Sequence, residues 1–339
     1  STITSAAPAA ASPAVLITGK CDSTANGDAG QRAIYTGGTG LTISATGGGN
    51  VSLFGDNAAV QATNPGSIYL TGVDVLASTG SITIDGGTDG VVTSIASTTS
   101  NLGATGVGTA TGNVTVIGDR LTSAGTTNVK TTGNVTLESA GSTFVSAASL
   151  GGFNVASGAA NFRLGKTTNA STVTTTGSIS VTGSIEVYGD GFNLGSFTTT
   201  ATSGTGILLK SMSWITINAG TSGARTQIAV TGTNSTAPIT LWANSDAVGT
   251  GNIQIGAYTD ITSRAGAITL AGSANASETS PTGYAVGSLY GVDIGVSATA
   301  TDSVRISSTS GDITIRGRSN NANNASAGER VWRHSLHFS

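Results

Sequence analysis

The sequence predicts an all-β chain wound as a right-handed parallel β-helix, a solenoid drawn out into an elongated rod. Three observations carry that reading. First, ten copies of one pattern recur: Gly, a small residue, then apolar–polar–apolar. Each reads as a turn feeding a short strand with one buried and one solvated face. Such a strand cannot bury its apolar face alone, so a chain built from many of them must stack them. Second, one bias toward Gly, Ser, Thr, Ala and Val runs from about residue 35 to 318, which favours a single body over a string of unlike domains. Third, the glycine-to-glycine steps are irregular: 17, 14, 32, 21, 44, 6, 68, 15 and 45 residues. A propeller would repeat every ~40–50 residues and an immunoglobulin-like array every ~100, and neither period is present. Irregular steps suit two or three short strands per turn joined by loops of variable length. A rung of roughly 20–25 residues would give about a dozen or more rungs rising about 4.8 Å each, a rod of about 60–70 Å. Parallel crossovers favour the right hand.

Taken in order, residues 1–14 are rich in Ala, Ser and Pro without a strand period and read as a flexible arm. Val15-Leu16-Ile17 opens the β-helix, which is expected to span 15–318, and Leu41-Thr42-Ile43 follows. The ten clear copies run from Gly49, Gly66, Gly80, Gly112, Gly133, Gly177, Gly183, Gly251, Gly266 and Gly311, ending at Leu53, Leu70, Ile84, Val116, Leu137, Val181, Val187, Ile255, Leu270 and Ile315. Their third and fifth positions are all Ile, Val or Leu, which predicts internal aliphatic ladders. The residue between, such as Thr83, Thr115 or Thr136, should face water. The second position, usually Asn or Ser, suits a corner where its side chain bonds local backbone. Weaker strands are expected at Val73–Val75, Phe162–Leu164, Ile215–Ile217, Ile228–Val230, Ile239–Leu241, Ile294–Val296 and Val304–Ile306, and no segment has helical periodicity. Residues 319–339 read as an atypical cap or tail, and within them 329–339 abandon the Gly/Thr composition.

Composition narrows the function classes. Only 9% of residues are charged, against about 25% in ordinary globular proteins, so hydroxyls and amides must carry solubility. A net charge of −3 supplies no field for nucleic acid or an anionic membrane. Cys21 is the one cysteine, so no intrachain disulfide or cysteine metal cluster is expected. No apolar run approaches the roughly 20 residues of a membrane-spanning helix. The chain starts at Ser1 with no signal segment, so either a leader has been removed or the sequence is a piece of something longer.

The Gly-Ser/Asn/Asp-Ile/Val-Thr-Ile/Leu strands, best seen at 80–84, 133–137, 266–270 and 311–315, resemble the repeats of filamentous-haemagglutinin-like exoproteins and related autotransporter passengers. The resemblance is one of pattern and covers roughly 35–318. It implies export across a bacterial outer membrane, a right-handed β-helical rod, and a role in adhesion or biofilm matrix. The Asn-Pro-x-Gly signature of that family's secretion domain and a carboxy-terminal barrel are not seen. An internal or processed segment, or a relative that has repurposed the coil, is the expectation.

Parallel β-helices also carry polysaccharide lyases and glycosidases, which need clustered carboxylates or a calcium site with a basic partner. Here the acids Asp56, Asp74, Asp85, Asp89, Asp119, Glu138, Glu186 and Asp190 are scattered and read as solvated turn residues, although acids one rung apart could meet by stacking. Gly86-Gly87-Thr88-Asp89-Gly90 is one degenerate copy of a calcium-roll motif and reads as a turn. The Thr runs 174–176 and 198–200 are too irregular for a flat ice-binding face. Trp214 and Trp242 read as packing residues. Asn169, Asn234, Asn275 and Asn324 head glycosylation sequons that such a composition also produces by chance. His334 and His337, with Arg330, Trp332, Arg333 and Phe338, sit in the tail.

No catalytic, cofactor-binding or metal-binding residue is assigned. The leading expectation is a secreted bacterial surface or matrix adhesin that binds a cell-surface glycan or a protein receptor, with neither nucleic acid nor a membrane span. The alternative is a structural subunit joining end to end into a filament or sheath, with the 1–14 arm and the tail at the joint. A polysaccharide-active enzyme comes third.

Overall fold

A computed structural model describes residues 1–8, 13–21, 32–57, 67–106, 108–296 and 303–320. Over these residues the chain is all-β without helix, and every ladder between its strands is parallel. The expected parallel β-helix is the fold. It divides into two compact units, Ser1–Gly183 and Ser184–Ser339.

In the first unit each turn of the coil lays down three strands, one on each of three faces. The first face stacks Val15–Cys21, Val51–Asn57, Ile82–Asp85, Val114–Ile117, Val135–Glu138 and Phe162–Leu164. The second stacks Ile34–Tyr35, Ile68–Tyr69, Val91–Ser94, Leu121–Ser123 and Ala148–Leu150. The third stacks Thr2–Ser5, Leu41–Ala45, Val73–Ala77, Thr99–Gly103, Thr126–Val129 and Phe153–Ala159. Strand Val173–Val181 bends across the corner, pairing with Ala148–Leu150 at its start and with Phe153–Ala159 at its end.

Seven of the ten glycine-led copies lie on the first face, while those at Gly66, Gly177 and Gly251 lie on the other faces. This mixture explains the irregular steps. The six-residue step from Gly177 to Gly183 turns one corner, whereas the 32-residue step from Gly80 to Gly112 is a whole rung. Some rungs fall within the 20–25 residues expected, such as Val114↔Val135 (21 residues), but most are longer, up to Ile268↔Ile313 (45). The first face accordingly holds six strands in the first unit and five in the second.

The alternation places the core. In the first unit Val15, Val51, Ile82, Val114, Val135 and Phe162 form one inner ladder, and Ile17, Leu53, Ile84, Val116, Leu137 and Leu164 a second. In the second unit Ile185, Ile207, Ile239, Ile268 and Ile313 stack in register, beside Val187, Leu209, Leu241, Leu270 and Ile315. From the second rung of each ladder to the last but one these side chains are buried, each worth about 1.5–3 kcal/mol. The residues between them (Thr83, Thr115 and Thr136, for example) are half-exposed, as expected.

The repeat glycine has a cause that the sequence does not display. At the corner before the first face, the backbone of one rung sits directly on the next. A Cβ added to Gly112 would lie 1.9 Å from the Gly80 carbonyl oxygen, and one on Gly80 would lie 2.0 Å from that of Gly49. Close approach, not a left-handed backbone, selects glycine here. The next residue, expected to bond local backbone, reaches the following rung in two copies. Asn50 Oδ1 accepts from the Ser81 amide at 2.8 Å, and Asn113 Oδ1 from the Asn134 amide at 2.9 Å.

Two boundaries differ from expectation. Thr2–Ser5, inside the supposed arm, is a strand in register with Leu41–Ala45. Two β-branched threonines flank one apolar Ile3, and a neighbouring edge stabilises so short a segment where periodicity alone does not reveal it. At the other end Gly317–Ser319 pairs with Ala285–Gly287, so Ser319 belongs to a strand. The tail residues Arg330, Trp332, Arg333, His334, His337 and Phe338 lie outside the described residues, as does Asn324.

Candidate functional site

Along the outside of the third face of the first unit, one column is built from carboxamides and a carboxylate. Thr42, Asp74, Asn101, Asn128 and Asn154 occupy the same register position on successive rungs. They alternate with Ile43, Val75, Leu102, Val129 and Val155, which fill the core, so the pleat turns the polar groups outward. Asn101 Nδ2 donates to Asp74 Oδ1 at 2.6 Å, and Asn128 Nδ2 donates to Asn101 Oδ1 at 3.3 Å. Asn154 breaks the chain of side-chain bonds. Its Nδ2 turns to the Gly152 carbonyl at 3.2 Å, and its Oδ1 accepts from the Ser178 amide at 3.0 Å.

At that break a shallow depression of about 390 Å³ opens, lined by Asn128, Lys130, Asn154, Ser157, Ser178 and Ser180. Its wall is a bulge. Val155 pairs with Ile179 and Ala159 with Val181, so residues 156–158 stand opposite Ser180 alone, and Gly158 takes φ +135° to permit it. Lys130 Nζ donates to the Gly106 carbonyl, holding the ammonium at the rim. A second depression, about 620 Å³, lies at the corner between the second and third faces and is lined by Ser97, Thr98, Thr99, Gly125, Thr126 and Thr176. Both present hydroxyls and amides within reach of solvent, a surface suited to many modest hydrogen bonds.

The second unit carries its charges differently. Asp260, buried on strand Thr259–Ser263, accepts from Arg225 Nε at 2.9 Å and from Gln227 Nε2 at 3.0 Å. Arg225 also donates to the Ser303 carbonyl at 2.7 Å, tying three rungs together. Burial alone would raise the Asp260 pKa, but the Arg225 and Gln227 hydrogen bonds and the Arg225 and Arg305 charges outweigh it and lower it. Lys210 lies over the Trp242 ring, 4.1 Å from its centroid, and burial lowers its pKa. Trp242 is buried and donates to Ser273 Oγ at 2.8 Å, a packing role.

The scattered acids stay scattered. Asp85 accepts from the Gly87 amide at 2.9 Å at the start of the Gly86–Gly90 turn, which the Gly90 amide closes on the Gly86 carbonyl at 3.0 Å. Glu138 pairs with Arg163 at 2.5 Å, Glu186 accepts from Tyr188, and Asp190 accepts from Ser213 at 2.6 Å. Asp89 and Asp119 are buried, unlike solvated turn residues, and Asp119 accepts from the Gly141 amide at 2.9 Å. Among the described residues no three His, Cys, Asp or Glu side chains gather as a metal site. None of the described segments is a helix long and apolar enough to cross a membrane. Thr175 and Thr199 are buried, so neither Thr run forms a continuous outer face. Of the sequons, Asn169 is buried, whereas Asn234 and Asn275 are exposed.

Sequence reading did not pick out the amide column. Its signal was present as Val-Asp-Val, Ser-Asn-Leu, Thr-Asn-Val and Phe-Asn-Val at 73–75, 100–102, 127–129 and 153–155. Comparison with known proteins returned nothing: no family model, no curated protein and no solved structure matches this chain.

Proposed function

We propose that this chain is an extracellular binding protein, an adhesin or matrix component, that holds a hydroxyl-rich polymer such as a cell-surface glycan along the third face of its first unit. The observation that carries the reading is the outward column Asp74–Asn101–Asn128–Asn154 with the depression beside it. Repeated amides at rung spacing, about 4.8 Å, suit a repeating ligand better than a compact one, since each rung adds one weak hydrogen bond in step with the polymer. Secretion and the bacterial cell surface enter through the resemblance to filamentous-haemagglutinin-like repeats.

The test is retention on immobilised glycans and on whole cells, comparing the wild-type chain with Asn128→Leu and Asn154→Leu. Loss of retention in both variants, with unchanged thermal unfolding, supports the reading. Retention equal to wild type, or no glycan retained by the wild type, rejects it.

A further inference from the structure

The third face of the first unit carries very little charge. Its strands hold one charged side chain, Asp74, and Lys130 follows directly on the strand Thr126–Val129. The two are not partners. Asp74 accepts from Asn101 Nδ2 at 2.6 Å, and Lys130 Nζ donates to the Gly106 carbonyl. Two rungs separate them, roughly 10 Å at about 4.8 Å each. That exceeds the Debye length of about 8 Å at physiological salt. Among the described residues no carboxylate pairs with Lys130, so its charge stays uncompensated.

The geometry around Lys130 keeps that charge open to a ligand. Leu102, Val129 and Val155 stack in register in the core, so Gly103 and Ala156 are the neighbours of Lys130 on the adjoining rungs. No side chain longer than a methyl group flanks the lysine on either one. The bulge at 156–158 then carries the backbone out of step and opens the depression of about 390 Å³ beside it. The other polar groups of the lining, from Asn128, Asn154, Ser157, Ser178 and Ser180, are neutral. One of the three ammonium N–H groups is spent on Gly106, and two remain. The second depression, lined by threonine, serine, alanine and glycine, has no cation.

We propose that the ligand of this face is an acidic glycan, and that Lys130 selects it by pairing with a sugar carboxylate. The inference rests on the glycan reading above and narrows it from any hydroxyl-rich polymer to one that carries uronic acid. The amides of the column bind sugar hydroxyls, which every glycan offers, so they do not distinguish a neutral chain from a charged one. An ammonium beside them does. A carboxylate seated in the depression pairs one oxygen with Lys130 Nζ in a charge-assisted hydrogen bond. The Ser157, Ser178 and Ser180 hydroxyls line the same depression and are donors for the second oxygen. Asp74 acts in the opposite sense. A chain lying along the column also passes its carboxylate, which repels any acid group set above it.

The test compares apparent affinity for immobilised polygalacturonate with that for neutral dextran of matched length. The wild type is expected to prefer polygalacturonate, by a ratio that shrinks toward one near about 1 M salt, where the Debye length is about 3 Å. Lys130→Gln keeps a stem and a donor for the Gly106 carbonyl but removes the charge. It is expected to cut the ratio roughly 1.5- to 5-fold, the worth of one exposed ion pair. Lys130→Arg is expected to keep the ratio and Asp74→Asn to raise it, and wild-type-like thermal unfolding in all three separates selection from folding. Equal retention of both polymers, retention of dextran alone, or a ratio unmoved by Lys130→Gln overturns the inference and leaves the glycan reading intact. Retention of neither polymer also overturns it, and if no other immobilised glycan is retained the glycan reading falls with it.

Discussion

Replacing Gly112 with Ala separates two explanations of the repeated glycine. If the glycine serves a flexible turn, alanine costs little. The stacked corner demands more, because the new Cβ would lie 1.9 Å from the Gly80 carbonyl oxygen and 2.3 Å from its carbon. Both obstacles are backbone atoms held between rungs, so neither can swing aside like a side-chain end. The corner must open, stretching the ladder between Ile82–Asp85 and Val114–Ile117. Overpacking of a well-packed site costs roughly 1–3 kcal/mol, and an unyielding neighbour places this case near the upper limit, about 3 kcal/mol. Gly38 is the control. It is exposed, and an added Cβ there meets nothing within 4 Å. Gly38→Ala is expected to be neutral or to stabilise by about 0.4–1 kcal/mol through the unfolded chain. Urea unfolding followed by circular dichroism reads both. Equal midpoints for the two variants would refute the close-approach argument and return the glycine to a simple turn role.

Three further outcomes follow from the packing and the charges. Leu137→Ala, at a fully buried ladder position, is expected to cost about 2–5 kcal/mol, and its outward neighbour Thr136→Ala less than about 0.5, read by the same unfolding. Thr127→Val removes a buried hydroxyl bonded to Thr93 at 2.9 Å and Ser123 at 3.0 Å, and orphaning those partners is expected to cost about 1–3 kcal/mol. Asp260 carries a depressed pKa, so its stabilisation is fully present above its unfolded value near 3.8 and is lost as pH falls through the lower folded value. Asp260→Asn should therefore be less stable than wild type at neutral pH, with the gap closing on acidification below about pH 4, and a constant gap would contradict the assignment.

The first face was legible because its strands alternate aliphatic and polar residues. Val114-Thr115-Val116 and Ile268-Thr269-Leu270 could scarcely be anything else. The second and third faces of the first unit were mostly missed for a physical reason. Their inward positions often hold hydroxyls, as with Ser100 and Thr127, both fully buried, and Ser94 and Ser123. A coil this narrow brings facing backbones close, and short hydroxyl side chains fill the corners while bonding carbonyls, as Ser67 Oγ does to Gly86 at 2.6 Å. Hydrophobic periodicity cannot register such strands. The amide column escaped notice for a related reason. Asp74, Asn101, Asn128 and Asn154 lie 26 or 27 residues apart, and only rung register shows that they adjoin. Rung length was underestimated because it is set by loops, which carry no strand signal at all.

Everything above depends on rungs stacking in the stated register, and spin labelling tests that most directly. In a Cys21→Ser background, labels on Thr115→Cys and Thr136→Cys occupy outward positions of adjacent rungs that are partners in one ladder. Their backbones stand about 4.8 Å apart, close enough for strong dipolar broadening of the electron paramagnetic resonance spectrum. Thr83→Cys with Thr136→Cys, two rungs apart, should broaden visibly less. That order of broadening is the predicted result. A Thr115/Thr136 spectrum equal to the sum of the two single labels would contradict the parallel stack and everything built on it.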